Sequence, residues 1–269
     1  VDANLTVAGP IMHPAVNGLL ELTNVEAIGR KVPLDVSKGD ITATFNGYNA
    51  TLHGDIITPD GELLLRGSGD WQDLAQWKSE LQVNARDLEV SMPPLLDLKV
   101  SPDLMIKASP QYAEITGNVA IPWGRITIDQ LPESAVSVSD DEVLLTDDLQ
   151  PVEAEPAIPF EIKTNISVNI GKDVRLSAFG LKSRLTGDLN VRQKDKGPLV
   201  YGEVNLRDGT YRSFAQELVI RKGQILFNGP ADQPYLSIEA IRDPDNVEDD
   251  VIAGIRVSGP ADEPTVEIF

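Results

Sequence analysis

The sequence predicts an all-β chain, a meander of hairpins in which every strand has one wet and one dry face. Three observations carry this. First, one short pattern occurs three times: Val7-Ala8-Gly9-Pro10 with Pro14, Phe227-Asn228-Gly229-Pro230 with Pro234, and Val257-Ser258-Gly259-Pro260 with Pro264. Gly-Pro cannot continue a ladder and the second Pro is tolerated where a strand starts, so each copy reads as strand, turn, strand. Second, period-two alternation recurs along most of the chain. Third, 19 Pro and 21 Gly break up helical stretches, leaving nothing to roof a sheet.

Taken in order, the alternating runs are Ile41-Thr42-Ala43-Thr44-Phe45, Leu98-Lys99-Val100, Leu104-Met105-Ile106, Ile126-Thr127-Ile128, Ile166-Ser167-Val168-Asn169-Ile170 and Val204-Asn205-Leu206. Turn signals stand between runs at Lys38-Gly39-Asp40, Pro59-Asp60-Gly61, Asp208-Gly209 and Lys222-Gly223. Asp70 to Leu81 is the one helix candidate, worth a turn or two, with Trp71, Leu74, Ala75 and Lys78 at helical spacing after Gly67-Ser68-Gly69. From Asp129 to Pro159 the texture changes to nine acidic residues, four prolines and no Lys or Arg, which predicts a long loop, with Val143-Leu144-Leu145 able to dock as an edge strand. A second acidic loop is expected from Asp243 to Asp250. The organisation is therefore a first β-unit over 1–128, an acidic Pro-rich loop over 129–159 and a second β-unit over 160–269, expected to share one continuous sheet.

Composition narrows the function. At 269 residues with 41% hydrophobic residues the chain is long enough for a sizeable core. A net charge of −19 repels a phosphate backbone, which excludes nucleic acid as a partner. With no Cys there is neither a disulfide framework nor a thiolate metal site. No apolar run approaches the ~18 residues of a membrane-spanning helix. The start at Val1-Asp2-Ala3-Asn4 and the end at Val266-Glu267-Ile268-Phe269 are expected to belong to a piece of something longer.

Chemistry is equally sparse. His13 and His53 have no Cys, His or paired carboxylates at ligand spacing. There is no Gly-x-Ser-x-Gly elbow, and Gly67-Ser68-Gly69 is followed by Gln72 where a dinucleotide fingerprint needs Gly. Asp243-Pro244-Asp245-Asn246 resembles a calcium loop, yet Val247 takes a ligand position and the required Gly is missing. The pairs Asp140-Asp141 and Asp147-Asp148 fall in the acidic loop, where nothing shifts their pKa values. No catalytic residue, metal ligand or cofactor is assigned.

Several stretches together resemble the C-terminal domain of the TamB family: Gly180 to Val191, Gly202 to Tyr211, Gly223 to Gly229, Val119-Ala120-Ile121-Pro122 with Gly124 to Ile128 and Leu131-Pro132, and Val100-Ser101-Pro102-Asp103-Leu104. Each is only a strand plus a turn; their number and order, over nearly the whole chain, carry the resemblance. It implies a sheet curled like a taco around an apolar interior. It also implies the periplasmic segment of an inner-membrane-anchored subunit of the translocation and assembly module of Gram-negative bacteria, partnered by an outer-membrane barrel subunit. The work implied is outer-membrane β-barrel and autotransporter assembly, phospholipid traffic between membranes, or both, without enzymatic activity.

Combined with that resemblance, the alternation yields a set of trough-lining candidates: Ile41, Ala43, Phe45, Leu104, Ile106, Val119, Ile121, Ile126, Ile128, Ile166, Val168, Ile170, Leu189, Val191, Val204, Leu206, Ile225, Phe227, Ile255 and Val257. Strands ~4.8 Å apart make a trough about 40 Å long from eight to ten of them. Phospholipid acyl chains fit such a wall, at roughly 0.8 kcal/mol per buried methylene. An unclosed sheet also keeps edges that accept β-barrel or autotransporter client strands by augmentation. The competing architecture is a closed β-sandwich interaction module with a dry core and no trough. A membrane barrel is disfavoured by an aromatic content of 5%, and a β-helix by the uneven turn spacing.

Overall fold

The computed structural model describes residues 1–27, 36–128, 160–194, 197–213, 216–243 and 253–269. They form sixteen strands: β1 (Asp2–Ala8), β2 (Ala15–Ala27), β3 (Val36–Gly47), β4 (Asn49–Ile57), β5 (Glu62–Asp70), β6 (Lys78–Arg86), β7 (Leu88–Met92), β8 (Leu96–Ala108), β9 (Tyr112–Ile128), β10 (Glu161–Ala178), β11 (Leu181–Lys194), β12 (Gly197–Ser213), β13 (Gln216–Pro230), β14 (Tyr235–Arg242), β15 (Gly254–Pro260) and β16 (Thr265–Ile268). All belong to one sheet, laid out in chain order, with β7 continuing the line of β6 along β8. The sheet is curled and not closed: β1 and β16 are its two ends. At ~4.8 Å per step, fifteen strands abreast extend about 70 Å. A two-sheet sandwich is not formed.

The three Gly-Pro copies make one and the same turn. His13 N–H donates to Pro10 O at 2.9 Å, Gln233 N–H to Pro230 O at 3.2 Å and Glu263 N–H to Pro260 O at 3.2 Å, and Pro14, Pro234 and Pro264 each stand just before the next strand. All ladders are antiparallel except one. β9 and β10 run parallel, from Tyr112↔Glu161 to Ile128↔Ala178, so Ile128 and Phe160 lie toward opposite rims of the sheet. A plain meander does not predict this pair. The two sequence-defined units meet along it, hydrogen-bonded strand to strand. The Asp129–Pro159 loop, with its Val143-Leu144-Leu145 edge strand, and all but Asp243 of the Asp243–Asp250 loop lie outside the described residues.

Two expectations are corrected. Asp70 to Leu81 is not helical: β5 ends at Asp70, β6 starts at Lys78, and the residues between are turn. Asp70 and Asp73 side chains accept from the backbone N–H of Gln72 and Ala75, and such local bonds compete with helix formation. The Trp71 indole N–H donates to Pro14 O at 3.0 Å, and its ring meets Phe45 edge to face at 6.2 Å, fixing the segment against the rim. Nor do Lys38-Gly39-Asp40, Asp208-Gly209 and Lys222-Gly223 turn the chain. They lie inside β3, β12 and β13, where the register slips. Pro59-Asp60-Gly61 does turn, closed by Thr58 N–H to Gly61 O at 2.9 Å.

Apart from two slips of β2 against β3, at Leu22/Val25 and Val25/Ala27, the register slips share a place. They occur at Lys99/Ser101 of β8 against β9, Ile170/Asp173 of β10 against β9, Ile170/Val174 against β11, Lys182/Arg184 of β11 against β12, and Ile220/Lys222 of β13 against β14. Bulges bend strands and sharpen their twist, so a row of them creases the sheet.

Candidate functional site

Register decides which side chains share a face. Starting from β11, Leu181, Ser183, Leu185, Gly187, Leu189 and Val191 alternate with Lys182, Arg184, Thr186, Asp188, Asn190 and Arg192. Their partners extend both sets sideways. Leu189 stands opposite Val168, which is opposite Val119, which is opposite Pro102. On the other side Gly187 stands opposite Val204, then Ile225, then Leu236, then Gly259. In the first half the same face runs Ile106, Leu81, Gly67, Leu52, Ala43, Leu20 and Ala3. Followed this way, all twenty sequence-nominated residues stand on one face.

Other members of that face escaped the alternation. Leu63 and Leu65 of β5, Leu81 and Val83 of β6, Leu20 and Leu22 of β2, and Leu236 and Ile238 of β14 belong to it by register. The signal for β5 was present as Glu62-Leu63-Leu64-Leu65, where the exposed Leu64 on the opposite face hides the period. Val174 and Leu185 were missed because their neighbours sit at a bulge.

Burial differs along the face. Val174 (2% exposed), Leu185 (6%), Val204 (6%) and Leu206 (5%) form a buried cluster, with Ile121, Ile126, Ile170, Leu176, Leu189, Ile225 and Phe227 packed half-buried around it. This cluster sits at the crease. Away from it, β5 alternates half-buried and exposed with no fully buried residue, and the end strands leave Val7 at 66% and Val266 at 60%. A face sealed by a second layer would bury such residues; here it is an open apolar wall with one tight bend. Gly117 and Gly202 lie on the wall at φ +135° and +122°, where an added Cβ would collide with the carbonyl oxygens of Asp103 and Asp188. Both let neighbouring strands approach closely.

The opposite face is polar and satisfies itself. Asn169 Nδ2 donates to Asp188 Oδ1 at 2.7 Å, and Asn190 Nδ2 to Asn165 Oδ1 at 2.9 Å. The amides of Asn205 and Gln224 donate to Glu203 and hold its carboxyl below the usual carboxylate range. Where β7 leaves the line of β6, Asp60 and Glu89 share a hydrogen bond that lowers Asp60 and raises Glu89, with Lys99 Nζ 3.6 Å from Asp60. His13 lies in a rim turn and His53 on the polar face of β4. Among the described residues no three His, Cys, Asp or Glu gather where they could hold a metal ion, and no buried side-chain polar atom lacks a hydrogen-bond partner. What the site offers chemically is one partly open apolar face on a curled sheet, and the strand edges of β1 and β16.

Residues 51–269 match the family model described as the TamB C-terminal domain. Over 279 residues the chain is 42% identical to the translocation and assembly module subunit TamB of Haemophilus influenzae (strain ATCC 51907 / DSM 11121 / KW20 / Rd), a match that takes in 100% of this chain and 21% of that relative. The chain thus spans about a fifth of the length of the curated relative it matches.

Proposed function

The chain belongs to the TamB family, and from that premise we propose that it is a non-enzymatic segment of a translocation and assembly module whose working part is the apolar trough. The observation that carries this reading is the single continuous apolar face, which runs from β1 to β16 with no second sheet against it among the described residues. An oily gutter about 70 Å long, half-open along most of its wall, suits acyl chains of phospholipids moving between inner and outer membranes. Among the described residues it carries no ring of charged or hydrogen-bonding groups that would select a polar ligand.

A second reading draws on the open ends. β1 and β16 each have one neighbour, and every described side chain of both strands is exposed. Such edges accept an added strand, from an outer-membrane barrel subunit of the module or from a β-barrel or autotransporter client. In this reading the trough receives the client's apolar face. Both place the segment in the periplasm as part of an inner-membrane-anchored protein, with residues 1–128 and 160–269 acting as one wall.

Photoreactive groups at Ile126 and Ile170, crosslinked in cells, separate the two. Phospholipid adducts support a conduit and barrel-precursor adducts a chaperone. Absence of both, with the protein folded and present, would count against a working trough.

A further inference from the structure

The outer face carries a feature the trough does not use. Arg125, Arg175, Arg184 and Arg207 are successive Cα partners on β9, β10, β11 and β12, four arginines abreast on the polar face at ~4.8 Å per strand. Like charges directly opposite one another destabilise a sheet. Cations are also scarce in a chain with 23 Lys and Arg against 42 Asp and Glu. A row of them is therefore not explained by folding. Three carboxylates offset part of the charge of these four arginines and Lys182: Asp173, 3.6 Å from Arg125 and 3.5 Å from Arg175; Asp208, which pairs with Arg184; and Asp97, the Cα partner of Arg125 on β8. Lys182 joins Arg125, Arg175 and Arg184 in lining one furrow on this face.

The rim beside the row adds a second observation. Phe179, in the turn joining β10 to β11, is 52% exposed and stands in the left-handed region at φ 49°. The turn is held by Arg212 N–H donating to Gly180 O at 3.0 Å, so the ring is presented by a defined backbone. An apolar ring at a tip beside a basic row matches the way peripheral proteins meet an anionic bilayer, the ring entering the headgroup boundary and the cations meeting phosphates. Guanidinium groups suit this because they take phosphate oxygens two at a time.

We propose that the β10–β11 end of the sheet docks on an anionic phospholipid surface, through the row Arg125, Arg175, Arg184 and Arg207 with Lys182, and through Phe179 at its tip. The net charge of −19 does not forbid it, since charges beyond a Debye length, about 10 Å at 0.1 M salt, are largely screened. Docking would set the trough's rim at the bilayer from its outer flank, independently of what the trough holds.

The test is sedimentation of the 269-residue chain with vesicles of phosphatidylglycerol in phosphatidylcholine, against phosphatidylcholine alone. Binding is expected to need phosphatidylglycerol and to fall as salt rises. Each cation near such a surface contributes about a fivefold factor, so Arg175→Ser with Arg184→Ser weakens binding on the order of tenfold or more. Phe179→Ser weakens it with little change in salt dependence. The thermal midpoint of the double variant changes little, because relief of like charges offsets the loss of two exposed ion pairs, with Asp173 and Asp208, and this separates lost docking from lost fold. Arg175→Lys retains most of the binding. Equal binding to both vesicle types, undiminished binding by the double variant, or loss of binding in the trough variant Val168→Asn would each overturn the proposal. So would capture of an acidic peptide or nucleic acid in place of the vesicles.

Discussion

Placing one charge at two positions of the apolar face tests whether that face is an open wall or a sealed core. Val168 and Val174 share β10 and the same face, but Val168 is half-buried between Val119 and Leu189, whereas Val174 is 2% exposed in the crease between Gly124 and Leu185. Fully burying a valine is worth ~1.5–3 kcal/mol, so losing the half-buried Val168 contacts costs about 1 kcal/mol. An arginine there can run its aliphatic stem along the wall and keep its head in water. At Val174 no such exit exists, and an unpaired buried charge costs several kcal/mol, a large part of the ~5–15 kcal/mol that holds a domain together. Val168→Arg is therefore expected to fold with a slightly lower denaturation midpoint, while Val174→Arg is grossly destabilised. On the conduit reading, Val168→Arg should also lose photo-crosslinked lipid at Ile170 in cells. Equal unfolding by both variants would refute the reasoning, because it would mean Val168 is as sealed as Val174.

Three further outcomes are expected. Gly117→Ala should lose about 3 kcal/mol in chemical denaturation, since its φ of +135° and the Asp103 carbonyl leave no room for a methyl, whereas Gly69→Ala, whose added methyl would come no nearer than 3.9 Å to Lys78 O, should be neutral or slightly stabilising. Trp71→Phe should lose about 1 kcal/mol by deleting the bond to Pro14 O while keeping an aromatic against Phe45, read from the urea midpoint. Glu89 contributes stability only while protonated, and this is lost as pH rises through its raised folded value; Asp60 contributes while ionised, and this is lost as pH falls through its lowered value. Glu89→Gln keeps an amide that can donate to Asp60 at any pH, so it should raise the thermal midpoint more at about pH 7 than at about pH 4.

Much of this wall was legible in the sequence because alternation is imposed by the pleat itself. The Gly-Pro repeats fixed three rim turns, and runs such as Ile166 to Ile170 lie flat on one side of a bulge. Bulges are where reading by period fails. Val119 and Ile121 are odd and Ile126 and Ile128 even, yet all four share a face, since β9 carries one extra residue between Ala120 and Trp123 in its register with β8. Asp208-Gly209 looks like a turn for the same reason: a residue with a left-handed φ, as Asp208 has at 47°, serves a bulge as readily as a hairpin, and Lys222-Gly223 likewise stands at a register slip. The parallel pair was illegible because it depends on where a chain returns after 31 residues, which no local pattern records. The row of arginines was hidden too, since its members are 50, 9 and 23 positions apart and only register aligns them.

The crease ties these observations together. A flat sheet with one apolar face would expose all of it and would tend to stack with another such sheet. Bending every strand of the middle along one line folds the face toward itself, and the gain is visible in Val174, Leu185, Val204 and Leu206, the buried cluster beside that line. The bend thus supplies a local core strong enough to hold the sheet in shape. Farther out, β5 and the end strands have no such line of slips between them and keep their wall half-open. Stability and apolar accessibility are in this way assigned to different parts of one sheet: substitutions at the crease should change folding, and substitutions on the open wall should change what that face can bind.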